Sequence, residues 1–333
     1  MLVLPPFPGR PTGAVPHVSD IAFKKHEAAY LSGLVLAVVG AVFFSGKAIV
    51  AKLLYRHGID AVTLIALRML LSAPVFIGVA VWTWRQAPRL GAADLLRIGV
   101  LGLLGYYASS MLDFLGLQYV SAGLERLVLF LTPSFVLLIG FLAYRRVVSR
   151  WQWLSLACAY GGIVLVFWHD LKVGGSNVAL GSALVLGAAL SYALYLLLSG
   201  ELLARVGTLR LVALAMTSSS VAGLIQYAVL RPFPTLFQQS AAVWQLSLVN
   251  AALCTVVPVF MTMIAVGRIG AGLASQAGMI GPVSTLFLGW WLLGEPITQL
   301  QLAGTALVLG GIFLLTTRKA PRAVVATEPS QAV

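Results

Sequence analysis

The sequence predicts an all-α integral membrane protein whose ten transmembrane helices form two inverted five-helix repeats around a central cavity. Three observations lead to this fold class. The composition is 60% hydrophobic and 10% charged, whereas a soluble domain carries about 25% charged residues. Ten apolar runs approach or exceed the roughly 20 residues that a bilayer requires. The third observation is a register that the two halves of the chain share.

The apolar runs follow one another with short polar connections, and we interpret each run as one membrane-spanning helix. Helices are expected because a lipid-facing backbone must satisfy its own hydrogen bonds. The runs also lack the period of two that is typical of barrel strands. The predicted spans are 30–50, 61–84, 96–118, 123–144, 151–168, 178–198, 209–230, 242–266, 271–294 and 301–317.

The formal net charge of +12 is explained by where the cations lie. With a cytoplasmic N-terminus, fifteen Lys and Arg residues fall in inside segments and four in outside loops. Since cytoplasmic loops carry an excess of Lys and Arg, both termini are predicted to be cytoplasmic, in a multi-pass protein of the plasma (inner) membrane. No nucleic-acid partner is expected, because the cations are spread over the loops. The four outside cations are Lys52, Arg56, Lys172 and Arg231.

The ends of the chain are polar or rich in proline. Prolines interrupt the first residues where a signal peptide would need its apolar core, so this segment is predicted to be retained as a disordered tail. The predicted division is a cytoplasmic tail at 1–29, a first repeat at 30–169, an extracytoplasmic linker at 170–177, a second repeat at 178–317 and a cytoplasmic tail at 318–333.

An internal duplication is visible when residues 121–133 are aligned with residues 270–282. An Ala-Gly-Leu sequence and a proline coincide, and without a gap the same register pairs Gln152 with Gln301. It also pairs the Gly-Gly-Ile sequence at 161–163 with the one at 310–312. Because each copy holds an odd number of spans, the second copy must enter the membrane from the opposite side, as in transporters built from inverted repeats.

Each copy contains motifs typical of a known family. They are the Leu-Gln-Tyr-Val-Ser-Ala-Gly-Leu sequence at 117–124 with Thr132 and Pro133, the Gly-Ala-Gly-Leu sequence at 270–273 with Gly281 and Pro282, and the Leu-Gly-Glu-Pro-Ile-Thr sequence at 293–298 followed by Gln-Leu-Ala-Gly at 301–304. With these motifs the chain resembles the drug/metabolite transporter superfamily, and within it the EamA-type ten-helix permeases. The resemblance implies export or exchange of small metabolites such as amino acids, related organic solutes or drugs.

One position departs from the pattern of such permeases. The first copy reads Tyr144-Arg145-Arg146 where a glycine-glutamate pair like Gly294-Glu295 is common. Since the chain has one such glutamate, we interpret Glu295 as a structural feature at a helix end.

Five ionisable side chains fall within the predicted spans, at a similar depth in the outer third of the membrane. Such residues are costly in a bilayer and usually face a cavity or a partner. Three cations against two anions leave one positive charge over, which suggests an external gate or vestibule that attracts an anionic group of the substrate. The alternative is a set of structural salt bridges within the first half. The five residues are Lys47, Arg68, Asp113, Glu125 and Arg126.

Polar and aromatic residues of the spans form a second set of candidates for the cavity wall. They are Tyr106, Tyr192, Tyr195, Thr262, Ser275 and Gln276. Ordinary interhelical hydrogen bonds are the alternative for each. Pro133, Pro258 and Pro282 are predicted to kink their helices. Ala306 and Gly310 form a small-xxx-small pair that favours close helix packing.

Two other classes of function were weighed against transport. A membrane-embedded enzyme is disfavoured because all four histidines fall in tails or at span ends and Asp113 is the one aspartate in a span. A channel or a sensory membrane protein without alternating access stays open as an alternative. No catalytic residue, metal or cofactor is predicted. The expected partners are a small-molecule substrate and the lipid bilayer, and the protein is expected to be a monomer or a homodimer.

The predicted topology can be tested with single cysteines in a variant that lacks Cys158 and Cys254. We expect Thr12→Cys and Ala320→Cys to react with a membrane-impermeant thiol reagent only after the cells are lysed. Gln238→Cys, in a predicted outside loop, serves as the control and is expected to react in intact cells. Reaction of one tail, but not the other, in intact cells would contradict the inverted arrangement.

Overall fold

The computed structural model describes residues 18–86, 89–144, 148–174 and 177–317. These residues form α-helices with a few π-helical turns and one 3-10 turn, and contain no strand. The helices are α1 Val18–Arg56, α2 Ala61–Gln86, α3 Ala92–Gly102, α4 Ser109–Leu117, α5 Ala122–Leu129, α6 Thr132–Tyr144, α7 Arg150–Gly174, α8 Asn177–Val206, α9 Thr208–Leu230, α10 Ala241–Ala251, α11 Val257–Ala277, α12 Ile280–Leu288 and α13 Gln299–Thr317.

Nine stretches of helix in the described part of the chain are long and apolar enough to cross a membrane. Large apolar side chains also lie on the outside of the bundle, where Leu142 is 75% and Val229 is 78% exposed. A surface of this kind is unfavourable in water and suits a lipid environment. The chain is therefore a multi-pass membrane protein made of helices.

The predicted span 271–294 is not among these nine stretches. Gly270 has φ 79° and ψ 158°, which breaks the helical path inside α11. A second interruption separates the end of α11 at Ala277 from the start of α12 at Ile280. The segment is thus divided into short helices, and the count of ten transmembrane helices stays a prediction.

Helix ends also differ from the predicted boundaries. Helix α1 begins at Val18, before the predicted start at residue 30, and residues 1–17 of the predicted tail lie outside the described residues. Helix α7 continues to Gly174, past the predicted end of the first repeat at residue 169.

Interruptions of the helices recur in the register that pairs Gln152 with Gln301. A π-helical turn at Leu103–Ala108 joins α3 to α4, and a second at Ala252–Val256 joins α10 to α11. In this register the two turns begin at equivalent positions. The break between α5 and α6 likewise corresponds to the break between α11 and α12.

The two glutamines that define the register make the same capping interaction. The Ser149 N–H donates to Gln152 Oε1 at 2.8 Å, and the Gln152 N–H donates to Ser149 Oγ at 3.3 Å. The Thr298 N–H donates to Gln301 Oε1 at 3.1 Å, and the Gln301 N–H donates to Thr298 Oγ1 at 3.3 Å. Each pair is a reciprocal capping box that satisfies two backbone donors at a helix start, here of α7 and α13.

Helices α7 and α13 approach each other closely through glycines. A Cβ on Gly162 would lie 2.5 Å from the Gly304 carbonyl oxygen, and a Cβ on Gly311 would lie 2.6 Å from the Ser155 carbonyl oxygen. Lipid tails are as apolar as the side chains they surround, so helix association depends on such close packing. The other extensive helix pairs are α1 with α11, α2 with α9 and α4 with α8.

The glycine contact allows a test in which neighbouring residues serve as variant and control. We expect Gly162→Ala to destabilise the protein by about 1–3 kcal/mol, because the added methyl group overpacks the interface. Gly161→Ala is the control, since a Cβ there meets nothing within 4 Å. Thermal unfolding of the purified protein in detergent measures both. Equal unfolding temperatures for the two variants would contradict the packing.

Candidate functional site

A cavity of about 500 Å³ lies inside the bundle, and helices of both halves form its wall. This volume is within the range of small-molecule sites, which bury most of the surface of a bound ligand. Charged side chains of α1, α2, α4 and α5 line one part of the wall. The remainder is formed by apolar, hydroxyl-bearing and aromatic side chains. The cavity can therefore hold a small molecule that has both a charged and an apolar part.

Lys47 is the centre of the charged part of the wall. Its Nζ atom lies 2.5 Å from Asp113 Oδ2 and 3.6 Å from Glu125 Oε1. All three residues are buried, and Glu125 is only 1% exposed. Asp113 Oδ1 and both Glu125 carboxylate oxygens are buried without a hydrogen-bond partner. Lys47 is therefore the counter-ion that two buried carboxylates share.

Arg68 and Arg126 have different surroundings. Among the described residues, no carboxylate oxygen lies within 4.0 Å of either guanidinium. Arg68 donates to Ser110 Oγ at 3.4 Å, and the Nε atoms of both arginines lack a partner. The guanidinium of Arg68 lies 5.4 Å from the centre of the Phe114 ring, and that of Arg126 lies 4.9 Å from the Phe44 ring. Phenylalanine rings therefore lie close to these two cations, and the nearest carboxylates, Asp113 and Glu125, act on them only from beyond 4.0 Å.

Three tyrosines pack together elsewhere along the cavity. The hydroxyl oxygens of Tyr106 and Tyr195 are 3.2 Å apart, and their ring centres are 5.1 Å apart. The Tyr192 ring stacks on Tyr195 at 5.5 Å. Gly105 makes room for this arrangement, because a Cβ there would lie 2.7 Å from the Cβ of Tyr195. Tyr106 lies in the π-helical turn after α3, so this turn contributes directly to the cavity wall.

Most of the predicted site residues lie on the cavity wall. Those that line it are Lys47, Arg68, Tyr106, Asp113, Arg126, Pro133, Tyr192, Thr262 and Ser275. Glu125, Tyr195 and Gln276 do not line the cavity, although the first two contact residues that do. Phe44 and Phe130 line the cavity beside Arg126 and were not predicted. Phe44 could have been found from its position three residues before Lys47 on the same helix face.

Two of the three prolines of the predicted kinks lie near helix starts, whereas Pro258 follows the π-helical turn inside the continuous stretch Ala241–Gly270. Pro133 follows the first residue of α6, Pro258 follows the first residue of α11, and Pro282 is the third residue of α12. Proline is well tolerated at a helix start, where its missing N–H has no partner to lose. Pro133 and Pro282 thus accompany the breaks between α5 and α6 and between α11 and α12.

Near the C-terminal end of α1, Glu295 joins the two halves of the chain. It accepts a hydrogen bond from the Ala122 N–H at 3.1 Å and forms an ion pair with Lys52 Nζ at 2.9 Å. One helical turn further along α1, Arg56 donates to the Leu293 carbonyl oxygen at 2.6 Å. Glu295 therefore caps the N-terminus of α5. Its contacts reach α1 and α5 of the first half, so they are not confined to the helix end at which Glu295 lies.

The described residues contain no group of three or more His, Cys, Asp or Glu side chains that could hold a metal ion. Cys158 and Cys254 are both free thiols. Cys254 is buried in the π-helical turn before α11, and a Cβ on Gly46 would lie 3.1 Å from its sulfur. We therefore interpret Cys254 as a packing residue between α1 and this turn.

Comparison with known proteins gives the same family signal in both halves. The model of the EamA-like transporter family matches residues 31–168 and again residues 179–317. The uncharacterized transporter YcbK of Bacillus subtilis is 32% identical over 298 residues, 86% of this chain and 92% of that protein. The uncharacterized transporter YetK of the same organism is 23% identical over 310 residues, 90% of each. A solved crystal structure with 15% identity has a TM-score of 0.59 and covers 87% of this chain and 96% of that one, which shows a shared fold.

The shared counter-ion leads to a test of stability. We expect Lys47→Met to lower the free energy of unfolding by about 3–5 kcal/mol, because it leaves two buried carboxylates without a cation nearby. Lys52→Met is the control, since Lys52 belongs to a partly exposed ion pair, and there we expect about 0–1 kcal/mol. Thermal unfolding in detergent compares the two. If Lys47→Met unfolded at the same temperature as Lys52→Met, Lys47 would not be the counter-ion of both acids.

Proposed function

The chain belongs to the EamA-like transporter family, and we propose that it moves a small organic solute across the plasma membrane by alternating access to the central cavity. Transport is outward, or an exchange of internal for external solute. The observation that carries the proposal is the cavity itself, which is lined by both halves and combines buried charges with an apolar and aromatic wall.

We propose further that the chain has ten transmembrane helices in two inverted repeats, at 30–169 and 178–317, with both termini in the cytoplasm. The equivalent π-helical turns, helix breaks and capping boxes support this arrangement.

Contacts between helices of the two copies repeat as well. Gly46 faces Cys254, and in the repeat register the equivalent contact is Tyr195 facing Gly105. Gly162 faces Gly304, and the equivalent contact is Gly311 facing Ser155. Each of these contacts joins one copy to the other, as expected of a two-fold relation between them.

Alternating access requires that contacts between the halves separate at one end of the cavity. The contacts of Glu295 with Lys52 and with the Ala122 N–H are of this kind, since they join the second half to the first. The Lys52 and Glu295 side chains are each 23% exposed, so water can replace their ion pair at small cost. In our proposal these contacts close the extracytoplasmic end and part when the cavity opens there.

Transport can be measured with purified protein in liposomes. Labelled candidate metabolites are supplied outside, and a high internal concentration of the same unlabelled compound drives counterflow. A carrier is expected to show saturable uptake that depends on the internal solute. After it releases labelled solute inside, it binds unlabelled solute there and returns the cavity to the outside. Liposomes without protein are the control. Uptake that neither saturates nor depends on internal solute would indicate a channel instead.

The moving contacts can be tested by cross-linking a Lys52→Cys/Glu295→Cys variant that lacks Cys158 and Cys254. A short thiosulfonate cross-linker is expected to abolish counterflow, and reduction to restore it. The two single-cysteine variants treated with the same reagent are the controls. Full transport by the cross-linked protein would show that this end of the cavity does not need to open.

A further inference from the structure

The charges of the cavity wall point to the class of solute, an inference that rests on the proposed function because it concerns the same cavity. Three cations and two carboxylates form the cluster, and Lys47 lies within 4.0 Å of both carboxylates. Arg68 and Arg126 are 6% and 7% exposed and have no carboxylate within that distance among the described residues. A buried charge without a counter-ion is strongly unfavourable. With all five groups ionised, the cluster is therefore one negative charge short of neutrality.

We propose that the transported solute is a small organic monoanion whose carboxylate binds Arg68 and Arg126. Both arginines line the cavity, and the Nε atom of each is buried without a hydrogen-bond partner. A guanidinium presents its donors in a planar fork that matches the two oxygens of a carboxylate. One carboxylate supplies both the missing acceptors and the missing charge.

The neighbouring side chains assign separate roles to the cations. Lys47 lies between Asp113 and Glu125, so these two acids compensate its charge. The rings of Phe44 and Phe114 lie near the arginines but offer no acceptor to the N–H donors, which lie in the guanidinium plane. The open edges of the guanidiniums are thus left for the solute.

The rest of the wall indicates what the solute carries besides its carboxylate. Tyr106 and Tyr192 line the cavity together with Leu196 and Val259. These side chains suit an apolar or aromatic body. A zwitterion fits less well, because its ammonium group would restore the excess positive charge.

Matched compounds test this class of solute. The probes are 3-phenylpropionate with its neutral amide and phenylalanine, and hexanoate with its neutral amide and norleucine. Binding is measured as the rise in unfolding temperature of the full chain in detergent at millimolar probe, since a ligand of the native state stabilises it by mass action. We expect the two monoanions to raise the unfolding temperature, and the amides and zwitterions to raise it little.

Variants connect the effect to the arginines. Arg68→Gln and Arg126→Gln are expected to weaken apparent affinity for the monoanions by about 10- to 100-fold, the loss typical of a charged hydrogen bond. Arg68→Lys keeps the positive charge but not the planar fork of donors, and it is expected to lose less affinity for the monoanions than Arg68→Gln. Arg231→Gln is the control, because Arg231 is an exposed residue paired with Asp60 outside the cavity.

The unfolding temperature without ligand separates binding from a structural role. Arg68→Gln removes the surplus charge and is expected to leave this temperature unchanged or to raise it, whereas loss of a structural arginine would lower it.

The proposal is overturned if amides and zwitterions stabilise the protein as well as monoanions do, if no monoanion stabilises it, or if Arg68→Gln keeps its affinity for the monoanions. Counterflow of neutral solutes alone would contradict the proposed anionic class of solute but agree with the proposed transport function. Monoanion binding without counterflow of any bound solute would agree with the anion site but contradict the transport function.

Discussion

A single lysine shared by two carboxylates constrains the arrangement of the whole cavity. Removing a charge from water costs several kcal/mol unless a partner compensates it, so α1, α4 and α5 must keep Lys47, Asp113 and Glu125 within a few ångströms. Once both acids are committed to Lys47, the two arginines of the cluster have phenylalanine rings and the cavity as neighbours. The electrostatic character of the wall therefore follows from one local pairing.

The close packing of α7 on α13 is built from different chemistry. Gly162, Gly304 and Gly311 allow backbones to touch there, and none of the three glycines lines the cavity. Charged and polar groups are concentrated in the cavity wall, where helices of both halves meet around enclosed space. Shape complementarity and charge are thus found in different parts of the molecule.

The sequence predicted the helical class because the apolar bilayer core requires an apolar composition and its thickness sets the length of each apolar run. It did not foresee the divided path of residues 271–294, since hydropathy is insensitive to a backbone turn such as the one at Gly270. The duplicated motifs indicated the register but not the contacts. The small-residue pattern selected Gly310, where a Cβ would meet nothing within 4 Å, whereas its neighbour Gly311 touches α7.

The charged residues of the cavity wall could also be predicted from the sequence. An ionisable residue in an apolar run must find a partner or a cavity, and four of the five predicted charges line the cavity. The choice of partners depends on the rotation of each helix, which sequence spacing does not give across a break. Gln276, which follows the break at Gly270, was for this reason included although it lies off the wall, whereas Phe44 shares the unbroken α1 with Lys47 and could have been predicted.

The π-helical turn between α3 and α4 makes chain length part of the site. A π turn holds about one residue more than an α-helical turn, so every side chain beyond it is rotated by roughly 100° about the helix axis. Ser109, Ser110 and Asp113 all follow this turn. Loss of one residue from Leu103–Ala108 would leave each of these side chains chemically intact and turn them away from the cavity. Insertions and deletions within this helix would then change the cavity wall as much as the replacement of a charged residue.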